Sequence, residues 1–255
     1  MLNTQIYGSP TEQPPLLIVH GLFGSARNWG VIARRLSTDR EVIAVDQRNH
    51  GDSPWTETHS YADMAADLAR VIEAHGGRAD VLGHSMGGKA AMVLALTRPE
   101  LVRRLVVADM APVAYDHGHS HASFIGAMQR MDLSNLTLRS EADRRLAKDI
   151  DSEQVRAFLL QSLDLKSDPP RWKLNLDVLD AHLGDVLDWP APPGRFTGPA
   201  LFVYGMQSDY VTPEYRPAIF QKFPNAEFHP IEGAGHWLHA ERPREFEAAV
   251  ADFIA

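Results

Sequence analysis

The chain has 255 residues, a formal net charge of −8 and 44% hydrophobic residues. That is enough chain for one large domain with a sizeable core, and the acidic balance argues against a surface for nucleic acid or anionic membrane. It contains no cysteine, which excludes disulfides, thiolate metal sites and a cysteine nucleophile.

The first residues, Met1-Leu2-Asn3-Thr4-Gln5, lack the basic start and apolar run of a signal peptide. No apolar stretch is long enough to span a bilayer, so a cytoplasmic protein is expected. A short polar strand is expected near 5–8 and a turn over 10–15. Leu16-Leu17-Ile18-Val19 is a continuous apolar run, as in a parallel strand buried on both faces. It ends in His20-Gly21-Leu22-Phe23-Gly24, followed by a helix over about 26–36. A glycine-rich loop between strand and helix suits donation of a backbone N–H to a developing oxyanion, and Leu22 is the candidate donor.

The next strand, 41–45, runs into the polar loop Asp46 to Pro54. His50 and Asp52 carry side chains capable of catalysis. Hydrogen bonding within the loop, pinned by Asp46 and Arg48, accounts for its composition more simply. An amphipathic helix follows over 61–75, with Met64, Leu68, Val71 and Ile72 on one face, and Gly76-Gly77 ends it.

Residues 79–82 form an apolar β run that leads into Gly83-His84-Ser85-Met86-Gly87, and a helical run over 86–97 follows. A G-x-S-x-G pentapeptide between strand and helix reads as a nucleophile elbow, with the Ser85 hydroxyl exposed at a sharp turn. Gly83 and Gly87 flank the serine where a Cβ would collide with neighbouring backbone. The new helix aims its first N–H groups at the same point, which makes Met86 the second candidate oxyanion donor. A further strand over 101–107 ends at Asp109. The β-α-β-α-β-α-β order calls for an open, mostly parallel sheet with helices on both faces. Its active site belongs at the carboxyl ends of the strands, where His20, Ser85 and Asp109 lie.

From 111 to 197 the alternation stops and no convincing strand is visible. Helices are expected over 122–131, over 141–150 after a cap at Ser140, over 152–163 after Asp151 with Gln154 completing a capping box, and over 174–187. A stiff linker at 189–194 closes the segment. An all-helical insertion after a sheet strand is most simply a cap over the active site. The expected division is therefore a core of 1–110 and 198–255 with a helical cap of 111–197. Candidates for the substrate lining are Phe124, Met128, Phe158, Leu159 and Trp172 from the cap, and Phe23, His84 and Trp237 from the core. His117, His119 and His121 could approach a metal if extended. No carboxylate is arranged to complete a site, so they read as a polar loop, and no metal or cofactor is implied.

A strand at 200–204 precedes Gly205-Met206-Gln207-Ser208-Asp209. A helix over 213–223, a last strand over 226–230, the loop Glu232 to His239 and a helix over 243–254 complete the chain. Serine needs a base within hydrogen-bond reach, and that base needs a carboxylate. His236 follows the last strand in a glycine-lined loop and comes last in chain order, as a base should, with His239 as the alternative. The acid has two candidates. The usual position, three residues past Gly205, holds Ser208 with Asp209 beside it, whereas Asp109 ends the preceding strand.

The motifs HGLFGSARNWG (20–30), DQRNHGDSP (46–54), GHSMGGKAAM (83–92), ADMAPV (108–113) and GAGHWLHAERP (233–243) resemble those of YbfF-type esterases of the α/β-hydrolase superfamily. The resemblance covers nearly the whole chain and is weakest in the cap. It implies the eight-stranded hydrolase fold with a small helical cap, and activity on short- to medium-chain acyl esters or acyl thioesters. By position it implies Ser85 as nucleophile, His236 as base and Asp109 as acid, with Ser208 assisting the histidine. Asp209 directly after Ser208 departs from the pattern. The implied partner is a small-molecule ester, and the sequence leaves the oligomeric state, monomer or small homo-oligomer, open. Competing readings are a C–C bond hydrolase, a lactonase or a perhydrolase on the same site, and a ligand-binding receptor on the same scaffold.

Overall fold

The computed structural model describes residues 1–116 and 118–255. A seven-stranded sheet forms its centre, with β1 (Thr4–Tyr7), β2 (Leu16–Val19), β3 (Val42–Val45), β4 (Ala79–His84) and β5 (Val102–Ala108) in the first part of the chain. Between them lie α1 (Gly30–Leu36), α2 (Tyr61–Ala74) and α3 (Met86–Thr97). Beyond β5 come α4 (Gly118–Arg130), α5 (Arg139–Leu146), α6 (Glu153–Leu159), the short hairpin β6 (Leu163–Asp164) and β7 (Arg171–Trp172), α7 (Leu176–Ala181) and α8 (Leu183–Leu187). The chain returns to the sheet in β8 (Ala200–Gly205), α9 (Arg216–Lys222), β9 (Ala226–Ile231), α10 (Leu238–Glu241) and α11 (Pro243–Ile254).

The strand order is β1-β3-β2-β4-β5-β8-β9. Every pairing is parallel except β1 with β3. The sheet thus has seven strands among the described residues, not the expected eight. At its antiparallel edge only β1 pairs with β3. The residue before it, Asn3, bonds to the 46–53 loop instead, its N–H donating to Ser53 Oγ and its carbonyl accepting from the Asp46 N–H.

All residues of β2, β3 and β4 are buried. β2 and β3 have the continuous apolar composition of parallel strands covered on both faces, while β4 also buries Asp80 and His84 towards its ends. One cluster packs α2 and α3 against one face, and the other packs α1 and α11 against the opposite face. α3 follows from its sequence too: apart from Lys89 in its first turn it is apolar on every side, and it lies inside the molecule.

Several boundaries beyond β5 differ from expectation. The two-residue strands β6 and β7 pair antiparallel and are too short to show an alternating pattern. α5 begins at Arg139 with Leu138 at the cap, so Ser140 lies in its first turn. α6 is capped by Ser152, which accepts from the Val155 N–H, rather than by Asp151. The expected helix at 174–187 is two helices broken at His182. His117 lies outside the described residues, and so does the His119 side chain, so the three-histidine reading is not described as a whole.

Candidate active site

Gly83 and Gly87 set up the site. A Cβ on Gly83 would lie 2.2 Å from the Gly87 carbonyl oxygen, and one on Gly87 would lie 2.4 Å from that of Val19. Only glycine lets strand, turn and helix approach so closely. Between them Ser85 adopts φ 54° and ψ −122°, a strained conformation for a side-chain-bearing residue that persists where surroundings over-determine it. Its N–H donates to the Ala108 carbonyl at 3.1 Å, tying the turn to the end of β5.

One residue further along, Asp109 also has a positive φ, 51°. It is fully buried, and its Oδ2 lies 2.7 Å from His236 Nδ1. His236 Nε2 lies 3.0 Å from Ser85 Oγ. Three residues from the ends of three elements thus form one hydrogen-bonded line. Asp209 is exposed, and Ser208 donates its hydroxyl to Asp109 Oδ2 at 2.5 Å. Burial pushes the Asp109 carboxyl up to about 7, against the opposing hydrogen bonds from Ser208 and the Gly205 amide. His236 is stacked on Tyr210, ring centroids 4.1 Å apart.

His84, His239 and His50 have structural partners. His84 lies 2.9 Å from the His236 carbonyl through Nε2, so as donor it holds that backbone, and burial lowers its pKa to about 3. His239 stacks on Trp29 at 4.3 Å and packs edge-on to His84. His50 is buried, with Nε2 3.2 Å from the Phe23 amide as acceptor. Asp52 pairs with Lys173 at 2.7 Å. In the same loop Asp46 accepts from the Ala26 and Asp52 amides, and Arg48 pairs with Asp67.

Two cavities meet at Ser85, Leu22 and His121. The first, of about 570 Å³, is lined by Phe23, His84, Phe124, Phe158, Leu159, His236 and Trp237. Across it Phe158 of α6 faces Trp237 with ring centroids 5.7 Å apart. The second, of about 330 Å³, is lined by Met86, Tyr61, Lys89, Met110, Tyr115 and Val186. Met128 and Trp172, expected in the lining, fall outside both. The Trp172 indole N–H donates to the Met128 carbonyl at 3.0 Å, and both side chains pack within the insertion. The second cavity was missed because its residues come from α2, α3, α8 and the loop after β5, which sequence alone does not bring together.

Lys89 is fully buried in that second cavity. Its ammonium donates to the Leu187 and Asp188 carbonyls at 2.9 and 2.7 Å, while Tyr61 donates to the Val186 carbonyl at 2.6 Å. Together they satisfy the free carbonyls at the end of α8, and burial lowers the Lys89 pKa to about 7.

The doubly covered parallel sheet and the serine, histidine and aspartate at its strand ends have the form of an α/β hydrolase. The chain belongs to the α/β-hydrolase fold family, whose sequence pattern matches residues 14–243. Esterase YbfF of Escherichia coli strain K12 is 38% identical, the match covering 99% of this chain and 98% of that protein. The sn-1-specific diacylglycerol lipase ABHD11 of Mus musculus is 39% identical over 100% of this chain and 85% of its own length. A solved marine microorganism esterase superposes with a TM-score of 0.93 at 38% identity, covering 99% of this chain and 98% of the other. The resemblance to YbfF-type esterases therefore stands, and the chain is an ester-hydrolysing enzyme of the esterase/lipase kind. Among the described residues no helix is long and apolar enough to cross a membrane.

Proposed function

We propose that the enzyme hydrolyses short- to medium-chain acyl esters through an acyl-enzyme on Ser85. The observation that carries this reading is the line Ser85 Oγ, His236 Nε2, His236 Nδ1, Asp109 Oδ2, with spacings of 3.0 and 2.7 Å. Ser85 attacks the carbonyl carbon as His236 takes its proton, and Asp109 stabilises the imidazolium. The Leu22 and Met86 amides hold the oxyanion. Collapse expels the alcohol, which takes the proton from His236. Water activated by the same histidine then releases the acid. A thioester carbonyl opens by the same steps.

His236 must deliver its proton to the leaving oxygen, so the alcohol belongs on the side where His236 lines the cavity. That is the larger, aromatic-walled first cavity. The acyl group then lies in the smaller second cavity beside Met86, which favours short chains. The 111–197 segment acts as a cap: α6 and α4 give the first cavity Phe158 and Phe124, and α8 gives the second Val186.

The test is initial rates on p-nitrophenyl esters of increasing acyl length, with Ser85→Ala as the blank. Turnover that peaks at short chains and disappears in the variant supports the reading. Wild-type rates in folded Ser85→Ala protein would refute the nucleophile. No ester turnover in the wild type would redirect the site to lactone or C–C bond cleavage.

A further inference from the structure

Phe23 stands between the candidate oxyanion donor Leu22 and the start of the helical turn at Ala26. It is buried and adopts φ 65°, a left-handed conformation that L side chains rarely take and that needs external restraint. Both of its backbone polar groups are held from outside the loop. Its N–H donates to His50 Nε2 at 3.2 Å. Its carbonyl accepts from the Ser162 hydroxyl at 2.9 Å.

His50 can serve as that acceptor because its other nitrogen, 2.9 Å from the Arg48 carbonyl, carries the proton. Burial between His20 and His59 keeps the ring neutral. Ser162 comes from the insertion, at the end of the turn after α6, and is itself buried. Both partners are joined by one short ladder. The Lys173 N–H donates to the Ser162 carbonyl, the Gly51 N–H to the Lys173 carbonyl, and the Asn175 N–H to the Asn49 carbonyl, at 2.8, 2.8 and 2.9 Å. Downstream, the Ala26 N–H is fixed on Asp46 at 2.7 Å. With that end anchored, the Phe23 torsion sets the direction of the Leu22–Phe23 peptide, and so constrains the path of the chain at the Leu22 N–H, one pair of backbone bonds away.

We propose that His50 and Ser162 are positioning residues that clamp the Phe23 peptide and thereby aim the Leu22 amide at the substrate's developing oxyanion. This rests on the reading of Ser85 as nucleophile and Leu22 as donor. Neither residue touches the reacting atoms. The insertion, through Ser162, thus contributes to the rate of the chemical step as well as to the walls of the cavity.

The test compares Ser162→Ala and Ser162→Thr on one p-nitrophenyl ester. Binding of a trifluoromethyl ketone, whose adduct with Ser85 carries an oxyanion, is compared with binding of the unreactive methyl ketone of the same shape. Ser162→Ala is expected to lower kcat roughly tenfold, a fraction of what loss of a whole donor costs. KM stays within about twofold, and the trifluoromethyl ketone alone weakens by a similar factor as kcat. Ser162→Thr, which keeps the hydroxyl, restores both. Unchanged kcat and ketone affinity in Ser162→Ala, with Ser85→Ala inactive, overturns the clamp while leaving the nucleophile intact. Equal weakening of both ketones overturns it too, since that marks a general structural loss. Activity surviving in Ser85→Ala removes the reading beneath it. If Ser162→Ala does not fold, His50→Asn gives the same comparison from the amide side of Phe23.

Discussion

Ser208 and His236 share one oxygen of Asp109. The Ser208 hydroxyl donates to Oδ2 at 2.5 Å and His236 Nδ1 lies 2.7 Å from the same atom. Burial holds the Asp109 carboxyl up near 7, and the Ser208 bond opposes that shift by favouring the ionised form. In the proposed mechanism a proton on Asp109 removes the charge that would stabilise a protonated His236. kcat/KM should therefore be low in acid and rise through an inflection set by Asp109. Ser208→Ala removes a bond to the charged form, so the inflection should move to higher pH, by about one unit. Rates from pH 5 to 9 in the two proteins check this, and a shift toward acid would contradict the assigned role of Ser208.

The two candidate acids can be separated directly. Asp109→Asn should cost about 10³- to 10⁴-fold in kcat, because the amide cannot stabilise the imidazolium and favours the wrong tautomer. Asp209→Asn, at an exposed position, should change kcat by less than about threefold, within the range of surface electrostatic effects. Single-substrate kinetics on purified, folded variants decide between them, and the reverse order would transfer the acid role to Asp209.

Lys89 predicts a stability effect with a definite sign. Its ordinary pKa of 10.5 falls to about 7 in the folded protein. Between those values the unfolded chain binds more protons than the folded one, so this group makes the protein more stable as pH rises from 7 toward 10.5. Below pH 7 both states are protonated and the cost of burying the charge is present in full. Lys89→Met lacks this slope and leaves the α8 carbonyls without their donor. Its melting temperature should fall further behind wild type as pH is raised from 7 to 10. A constant gap over that range would show that Lys89 keeps its ordinary pKa.

Two glycines should respond oppositely to the same change. Gly87→Ala places a Cβ 2.4 Å from the Val19 carbonyl and 2.5 Å from that of His20. It should destabilise by more than about 3 kcal/mol or prevent folding, since backbone on both sides has no room to give. Gly184 lies in α8 with nothing within 4 Å of an added Cβ. Gly184→Ala should be neutral or stabilising by up to about 1 kcal/mol. Urea titrations of the two variants test the contrast.

The geometry of the candidate site was legible where local sequence fixes local structure. The pentapeptide around Ser85 dictates strand, turn and helix together, and Gly233 to His239 places a histidine after the last strand in the same way. The acid could not be chosen on spacing, because Asp109 and Asp209 both follow sheet strands. The choice depends on how β5 and β8 stagger, and the register Ala108 with Val203 has no local signature. That Met128 and Trp172 lie outside both cavities could not be read from the sequence for a similar reason. An apolar side chain in an amphipathic insertion has one composition whether it faces a cavity or its own neighbours. The second cavity and the Phe23 clamp were invisible because each joins residues from several distant segments, and Ser162 carries no motif at all.

The spacing of these partners along the chain sets an order of assembly. Ser85 and His236 are 151 residues apart, and Asp109 and Ser208 are 99 apart. A ribosome that has just released β5 has already made the elbow, but neither His236 nor the Ser208 hydroxyl that bonds to Asp109. Contacts so distant in sequence close late, after the long excursion beyond β5 has been drawn in beside the sheet. In the nascent chain Ser85 therefore long precedes its hydrogen-bond partner, and the line from Asp109 through His236 to Ser85 closes only with the final strand and the loop behind it.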